Sequence, residues 1–143
     1  MKRYFIPIIA LLVFIALSGC TKKEESNPVT PTPTPEEPAP TFNLSAQPVT
    51  LATGDAGLCF FAFCISDDIL LVKVVVKNPR GESVTYNAGS ITVLQNQEFE
   101  CEPAGTGYFK YLGTWYLTFY GNKAMGTKSS FTVTKSISVT GKL

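Results

Sequence analysis

The sequence predicts an all-β protein: an antiparallel β-sandwich of about seven strands, preceded by a signal peptide and a disordered proline-rich linker. Three observations carry this reading. From residue 41 onward, apolar and polar residues alternate in one run after another, the two-residue period of a strand with one buried face. Turn-forming Gly, Asn, Asp and Pro residues interrupt these runs roughly every 8–12 residues. No stretch of this region carries a competing helical period. Residues 41–143 are 103 in number, which suits one domain.

Taken in order, Phe42-Asn43-Leu44-Ser45-Ala46 alternates as a first strand, and Gly54-Asp55-Ala56-Gly57 reads as a turn. Leu58 to Ile65 is apolar on both faces and so predicts a central strand, broken by Ser66-Asp67-Asp68. Leu70, Val72, Val74 and Val76 then define one face of the next strand, with Lys73 and Lys77 on the other. Asn78-Pro79-Arg80-Gly81 fits a type I turn, with proline where φ near −65° is wanted. Ser83–Tyr86 reads as a short return strand, and Ile91–Leu94 and Glu98–Cys101 as two weaker ones. Residues 102–113 read as a Gly- and Tyr-rich loop. Thr114–Tyr120 is a clear strand with Trp115, Leu117 and Phe119 inward and Tyr116, Thr118 and Tyr120 outward; Gly121–Gly126 turns into the last strand. There Phe131, Val133, Ile137 and Val139 share a face with Lys135, and an inward lysine is one way an edge strand resists pairing with other sheets.

The Val-rich strand, the Asn78–Gly81 turn and the Gly113-Thr114-Trp115 strand followed by Gly121-Asn122 resemble the immunoglobulin-like domains of bacterial surface lipoproteins, over residues 42–141. The late Trp-bearing strand has no cysteine, so an antibody-type bridge between the second and sixth strands is not available. A fibronectin-III-like variant is equally open.

The amino terminus supplies an address. Met1-Lys2-Arg3 is basic, Tyr4–Leu17 is apolar and uncharged, and Ser18-Gly19 precedes a cysteine, the anatomy of a signal peptide over residues 1–19. Leu17-Ser18-Gly19-Cys20 resembles the bacterial lipobox, which implies cleavage before Cys20 and acylation of that residue. Several acyl chains on one residue give stable membrane anchoring, at about 0.8 kcal/mol per buried CH₂. Lys23-Glu24-Glu25 resembles the surface-export signal of Bacteroidota lipoproteins, implying display outside the outer membrane; the periplasmic leaflet is the alternative. Residues 20–40 form the tether, where Pro28, Pro31, Pro33, Pro35, Pro38 and Pro40 lie among Thr and Glu and favour an extended, uncollapsed spacer.

The chain has no histidine, which removes Ser-His-Asp and Cys-His catalysis and the commonest zinc ligand. We therefore expect no enzyme, no cofactor and no metal; Ser66, Asp67 and Asp68 fall short of the six to eight oxygens calcium takes. Beyond residue 40, eight lysines and arginines face seven carboxylates, without the basic bias of a nucleic-acid binder.

With Cys20 assigned to lipid, Cys59, Cys64 and Cys101 remain. Five residues of straight strand span about 17 Å, beyond the roughly 7 Å limit between bridged Cα atoms. This disfavours Cys59–Cys64 and leaves Cys101 with Cys59 or Cys64, or three reduced thiols. For a ligand surface, the aromatics of residues 108–120 are the candidates: Tyr108, Tyr111, Tyr116 and Tyr120, with Phe109 among them, as side chains that stack on sugars or anchor a protein interface. Phe61 and Phe63, opposite Phe60 on a strand without a polar face, mark either an interface or a face covered by other chain. The expected job is binding or assembly: a protein partner, with a glycan as the alternative.

Overall fold

The computed structural model describes residues 37–141. Leu17, Ser18, Gly19, Cys20, Lys23, Glu24, Glu25 and the tether as far as residue 36 lie outside the described residues.

Among the described residues eight strands follow one another: β1 Phe42–Thr50, β2 Ala56–Cys64, β3 Ile69–Lys77, β4 Ser83–Val93, β5 Glu98–Glu100, β6 Tyr108–Phe109, β7 Gly113–Lys123 and β8 Ser130–Val139. All pairings are antiparallel. One sheet, here sheet A, runs β1-β2-β5, with β6 also on β2; the other, sheet B, runs β4-β3-β7-β8. The expected β-sandwich is the observed fold. Placing β4 beside β3 departs from the ABED/CFG split of antibody constant domains.

The two sheets close on one apolar core. Sheet A contributes Phe42, Leu58, Phe60, Ala62, Cys64, Phe99 and, just past β5, Cys101; sheet B contributes Ile69, Leu71, Val74, Val76, Val93, Trp115, Leu117, Phe119, Phe131 and Val139. Along β7 the inward residues anchor two aromatic clusters. Trp115 lies 4.9 Å from the Phe60 ring and 6.1 Å from Tyr108, while Phe119 stacks on Phe42 at 4.3 Å and meets Phe99 edge-on at 6.0 Å. Such pairs add to the area they bury because ring edges and faces carry opposite partial charge.

Several expected details change. In β3 the inward set is Ile69, Leu71, Val74 and Val76, while Val72 is exposed. A bulge between Leu71 and Lys73 reverses the phase, so Leu70 and Val72 are not on the face of Val74. The weak strands Ser83–Tyr86 and Ile91–Leu94 are one strand, β4, kinked opposite that bulge at Gly89 and Ser90, both at positive φ. The loop 102–113 contains β6. The Asn78–Gly81 turn forms as expected: Gly81 N–H donates to the Asn78 carbonyl at 3.0 Å, and the Asn78 side chain accepts from the Arg80 and Glu82 amides. Lys135 pairs with Leu117 on the inner side of the edge strand β8.

The domain also takes in the end of the expected tether. Pro40 is buried, and the Glu37 carboxylate accepts from the Thr127 hydroxyl at 2.7 Å and from Ser129 at 3.5 Å in the β7–β8 turn.

The bridge of Cys101 to Cys59 or Cys64 does not form; all three are free thiols. Cys101 N–H donates to the Phe60 carbonyl, so Cys101 sits opposite Phe60 and points inward, whereas Cys59 is on the outer face of the sheet. Cys64 points inward but lies four residues further along β2, about 13 Å away, too far to bridge.

Gly121, in the register beside the bulge, has no room for a side chain. An added Cβ would press on the Leu70 carbonyl oxygen and lie 2.8 Å from the Phe131 ring. Gly121→Ala is expected to lower unfolding stability by about 1–3 kcal/mol, read as a lower urea midpoint with an unchanged slope.

Candidate functional site

Strand alternation makes the outer face of sheet A from Asn43, Ser45, Gln47 and Val49 of β1, Cys59, Phe61 and Phe63 of β2, Glu98 and Glu100 of β5, and Phe109 of β6. Because β2 is central and apolar on both sides, this outer face carries a hydrophobic strip. It is not covered over: Phe61 and Phe63 are half-buried and Phe109 is 50% exposed. Leu51–Thr53 of the β1–β2 turn rises on one side and Gly105–Gly107 on the other, enclosing an apolar cleft of about 580 Å³. Cys59, Phe61 and Val49 line it, Phe109 flanks it, and Gln47, Thr53, Thr106 and Glu100 supply its polar groups. Its size lies within the range of small-molecule and side-chain sites.

The wall at 102–107 exists because the edge of β2 is paired in two pieces. β5 takes Phe61–Phe63 and β6 takes Gly57–Leu58. Between them the Phe60 N–H has no strand partner and donates instead to the Glu102 carboxylate, at 3.0 and 3.3 Å to its two oxygens. Glu102 is 2% exposed. Burial pushes its pKa from 4.5 up to about 7; hydrogen bonds from Cys59 and the Phe60 amide pull the other way, and the Glu100 charge adds to the rise.

Cys59 donates to the Thr106 carbonyl at 3.1 Å, tying the same loop to the sheet. Burial, and then the hydrogen bond and charge of Glu102, push its pKa up to about 12. A thiol so strongly held in its protonated form is a poor nucleophile.

The four tyrosines do not form one surface. Tyr108 is half-buried against Phe60 and Trp115, and its hydroxyl donates to the Cys101 carbonyl at 3.1 Å; burial raises its pKa, with Glu102 adding to the shift. Tyr111 stacks on Trp115, whose indole N–H donates to the Tyr111 carbonyl at 2.9 Å, and its ring lies 4.1 Å from the Arg80 guanidinium. Tyr116 and Tyr120 lie apart, on the outer face of sheet B. Tyr116 is 47% exposed there, and the Lys73 ammonium sits 4.5 Å above the Tyr120 ring. Asp67 pairs with Lys123 at 3.2 Å rather than facing open solvent, and among the described residues no cluster of three His, Cys, Asp or Glu has metal-binding geometry.

Val49, Leu51, Glu100 and Glu102 carry no site signal in the sequence, whereas Phe109 belongs to the aromatic group of residues 108–120 expected to meet a partner. Two signals pointed to this side: Phe109 in that aromatic group and the absence of a polar face on β2. Comparison with known proteins finds no matching family model, no similar curated protein and no similar solved structure.

Glu102 sets a pH dependence. Its folded pKa of about 7 exceeds the unfolded 4.5, so in that window the folded state holds a proton that the unfolded chain has released. The stability this proton provides is complete below pH 4.5 and is lost as pH rises through 7, by up to roughly 3 kcal/mol at about 1.4 kcal/mol per unit. Glu37 and Asp67, whose pKa values are lowered, titrate below this window. Thermal melts of the protein should therefore weaken from pH 4.5 to 7. Glu102→Gln keeps an acceptor for Phe60 N–H and should flatten that slope.

Proposed function

We propose that this chain is a lipid-anchored, non-enzymatic binding module on a bacterial outer membrane, engaging a protein partner through the outer face of sheet A. The observation that carries the reading is where the cleft sits. The chain enters the domain at Glu37–Phe42, and Phe42 pairs with Cys64 at the finish of β2. The cleft lies around Val49–Thr53 and Cys59–Phe61, toward the start of β2, about 23 Å along β1 from the entry. A domain tethered at one end would thus present a concave apolar surface at the other. Lipid on Cys20 supplies the anchor in this reading, and Lys23-Glu24-Glu25 directs the domain to the exterior. The protonated Cys59 thiol in the cleft accords with binding rather than covalent catalysis.

An interface centred on this face depends on its most exposed anchor. Phe109→Lys should abolish capture of the partner from solubilised membranes by the full-length chain, with the melting temperature unchanged. A variant that captures the same protein as wild type would sink the assignment of this face.

A second reading, glycan binding, draws on Tyr116 and Tyr120 alone. They lie in register with Lys77 and Lys73 and with Ser136 and Thr132, which sets the exposed Tyr116 ring and the half-buried Tyr120 ring among hydroxyls. If this face stacks on sugar rings, Tyr116→Ala should weaken binding on a glycan array by roughly fivefold or more, since one aromatic contact contributes about 1 kcal/mol. An array on which wild type shows no binding removes the reading.

A further inference from the structure

We propose that the cleft on sheet A seats a lysine or arginine side chain of the protein partner, with its aliphatic stem on Phe61 and Phe109 and its charged head at Glu100. This rests on the reading of that face as the contact surface, and it names the chemistry the surface selects.

The outward residues of sheet A include two carboxylates, Glu98 and Glu100, and among the described residues no lysine or arginine. The outer face of sheet B is the reverse: Lys73 and Lys77 stand among Ser, Thr, Tyr and Asn with no carboxylate on its strands. A protein with almost balanced charge has therefore placed an acidic, apolar face and a basic, hydroxylated face back to back.

The imbalance persists beneath the cleft floor. The Glu102 carboxylate is met by Cys59 and the Phe60 amide from β2, by Glu100 from β5, and by Cys101 and Tyr108 nearby. Its neighbours supply hydrogen bonds but no positive charge. Of the carboxylates near Cys59, Glu100 stands on the outer face of β5, and Glu102 adds negative charge as pH rises through about 7. A carboxylate at the rim of an apolar cleft, with no cation on the same face among the described residues, favours a cationic ligand at low salt.

The shape narrows the choice. Lys and Arg carry their charge on an apolar stem that packs along hydrophobic surface while the head stays at a polar rim. Here the rim is Glu100 and Thr106, and the floor is Phe61 and Val49. The faces of Phe61 and Phe109 add a cation–π attraction that a neutral side chain lacks. A bare inorganic cation gains nothing from this floor, and an acidic side chain is repelled by the rim.

The test uses the full-length chain in detergent and three dye-labelled nonapeptides. These share one Val-Thr frame and differ only in a central Arg, Gln or Glu; binding is followed by fluorescence anisotropy at low salt. The Arg peptide is expected to bind roughly fivefold or more tighter than the Gln peptide, with the Glu peptide weakest. Glu100→Gln should erase the Arg preference, while Glu82→Gln, in the β3–β4 turn, leaves it intact. Equal binding of all three peptides, or preference for Glu, overturns the proposal. If no peptide binds although Phe109→Lys still abolishes partner capture, this inference fails and the contact-surface reading stands. If Phe109→Lys leaves capture unchanged, the contact-surface reading fails on its own measurement.

Discussion

At the centre of sheet A a side chain does the work of a strand. β2 needs a hydrogen-bonding neighbour along its whole outer edge, and a buried amide left unpaired would cost on the order of 1–3 kcal/mol. β5 stops after three residues and β6 supplies only two. The Glu102 carboxylate bridges the interval by accepting the Phe60 amide. The chain that brings Glu102 to that point cannot continue as a strand, so residues 102–107 bow outward and become a cleft wall. A substitution that let β5 and β6 run together would satisfy the same amide and remove the wall. The cleft is thus a by-product of how one backbone group is satisfied.

That solution buries an acid, and the burial shapes the electrostatics of the surface above it. Glu102 keeps hydrogen bonds but has no counter-charge, and Glu100 in the adjacent strand raises the local negative potential further. The Lys123–Asp67 pair near the other end of the sandwich shows the contrast: there a nearly buried lysine has its carboxylate at 3.2 Å. Buried ions are ordinarily compensated in this way. Glu102 is accommodated instead by keeping a proton until pH nears 7, which leaves Glu100 at the cleft rim as the charge a partner's cation meets.

What could be read from the sequence follows what was periodic. Trp115, Leu117 and Phe119 alternate with hydroxyl-bearing residues because β7 has one buried and one wet face, so its orientation was unambiguous. The Asn78–Gly81 turn was legible because each residue matches a required dihedral. The run Leu70–Val76 was legible only in part: Lys73 and Lys77 mark the outer face and place Val74 and Val76 inward, but the bulge at Val72 reverses the phase of the residues before it. Gly89 and Ser90 interrupt the pattern of β4 and read as a break, whereas their positive φ only kinks a continuous strand. The site was less legible still. The tyrosines of 108–120 are neighbours in sequence, yet two lie around Trp115 and two on the opposite side of the sandwich from the cleft. Glu102 opens the segment that reads as a loop; it curls back into the sheet edge for a reason that exists only once β2 is in place. Leu51 and Thr106 line the same cleft from 55 positions apart, and no local pattern records such a juxtaposition.

Core and cleft are joined through consecutive residues of one strand. Phe60 points inward, wedged between Trp115 and Tyr108 at 4.9 and 5.8 Å between ring centroids, while Phe61 points outward as the cleft floor. With no disulfide among Cys59, Cys64 and Cys101, the aromatic packing around Trp115 is what holds β2 at this point. The Tyr108 hydroxyl on the Cys101 carbonyl and the Cys59 thiol on the Thr106 carbonyl then fix the two ends of the wall. A floor immobilised by the core and a wall pinned at both ends leave little ordering entropy for a ligand to overcome, the general advantage of a preformed site. The rigidity also limits what fits: a side chain that needs the wall to move must break the Glu102 contact and leave the Phe60 amide unpaired. Selectivity on this face is therefore a consequence of sheet pairing rather than of the cleft residues alone.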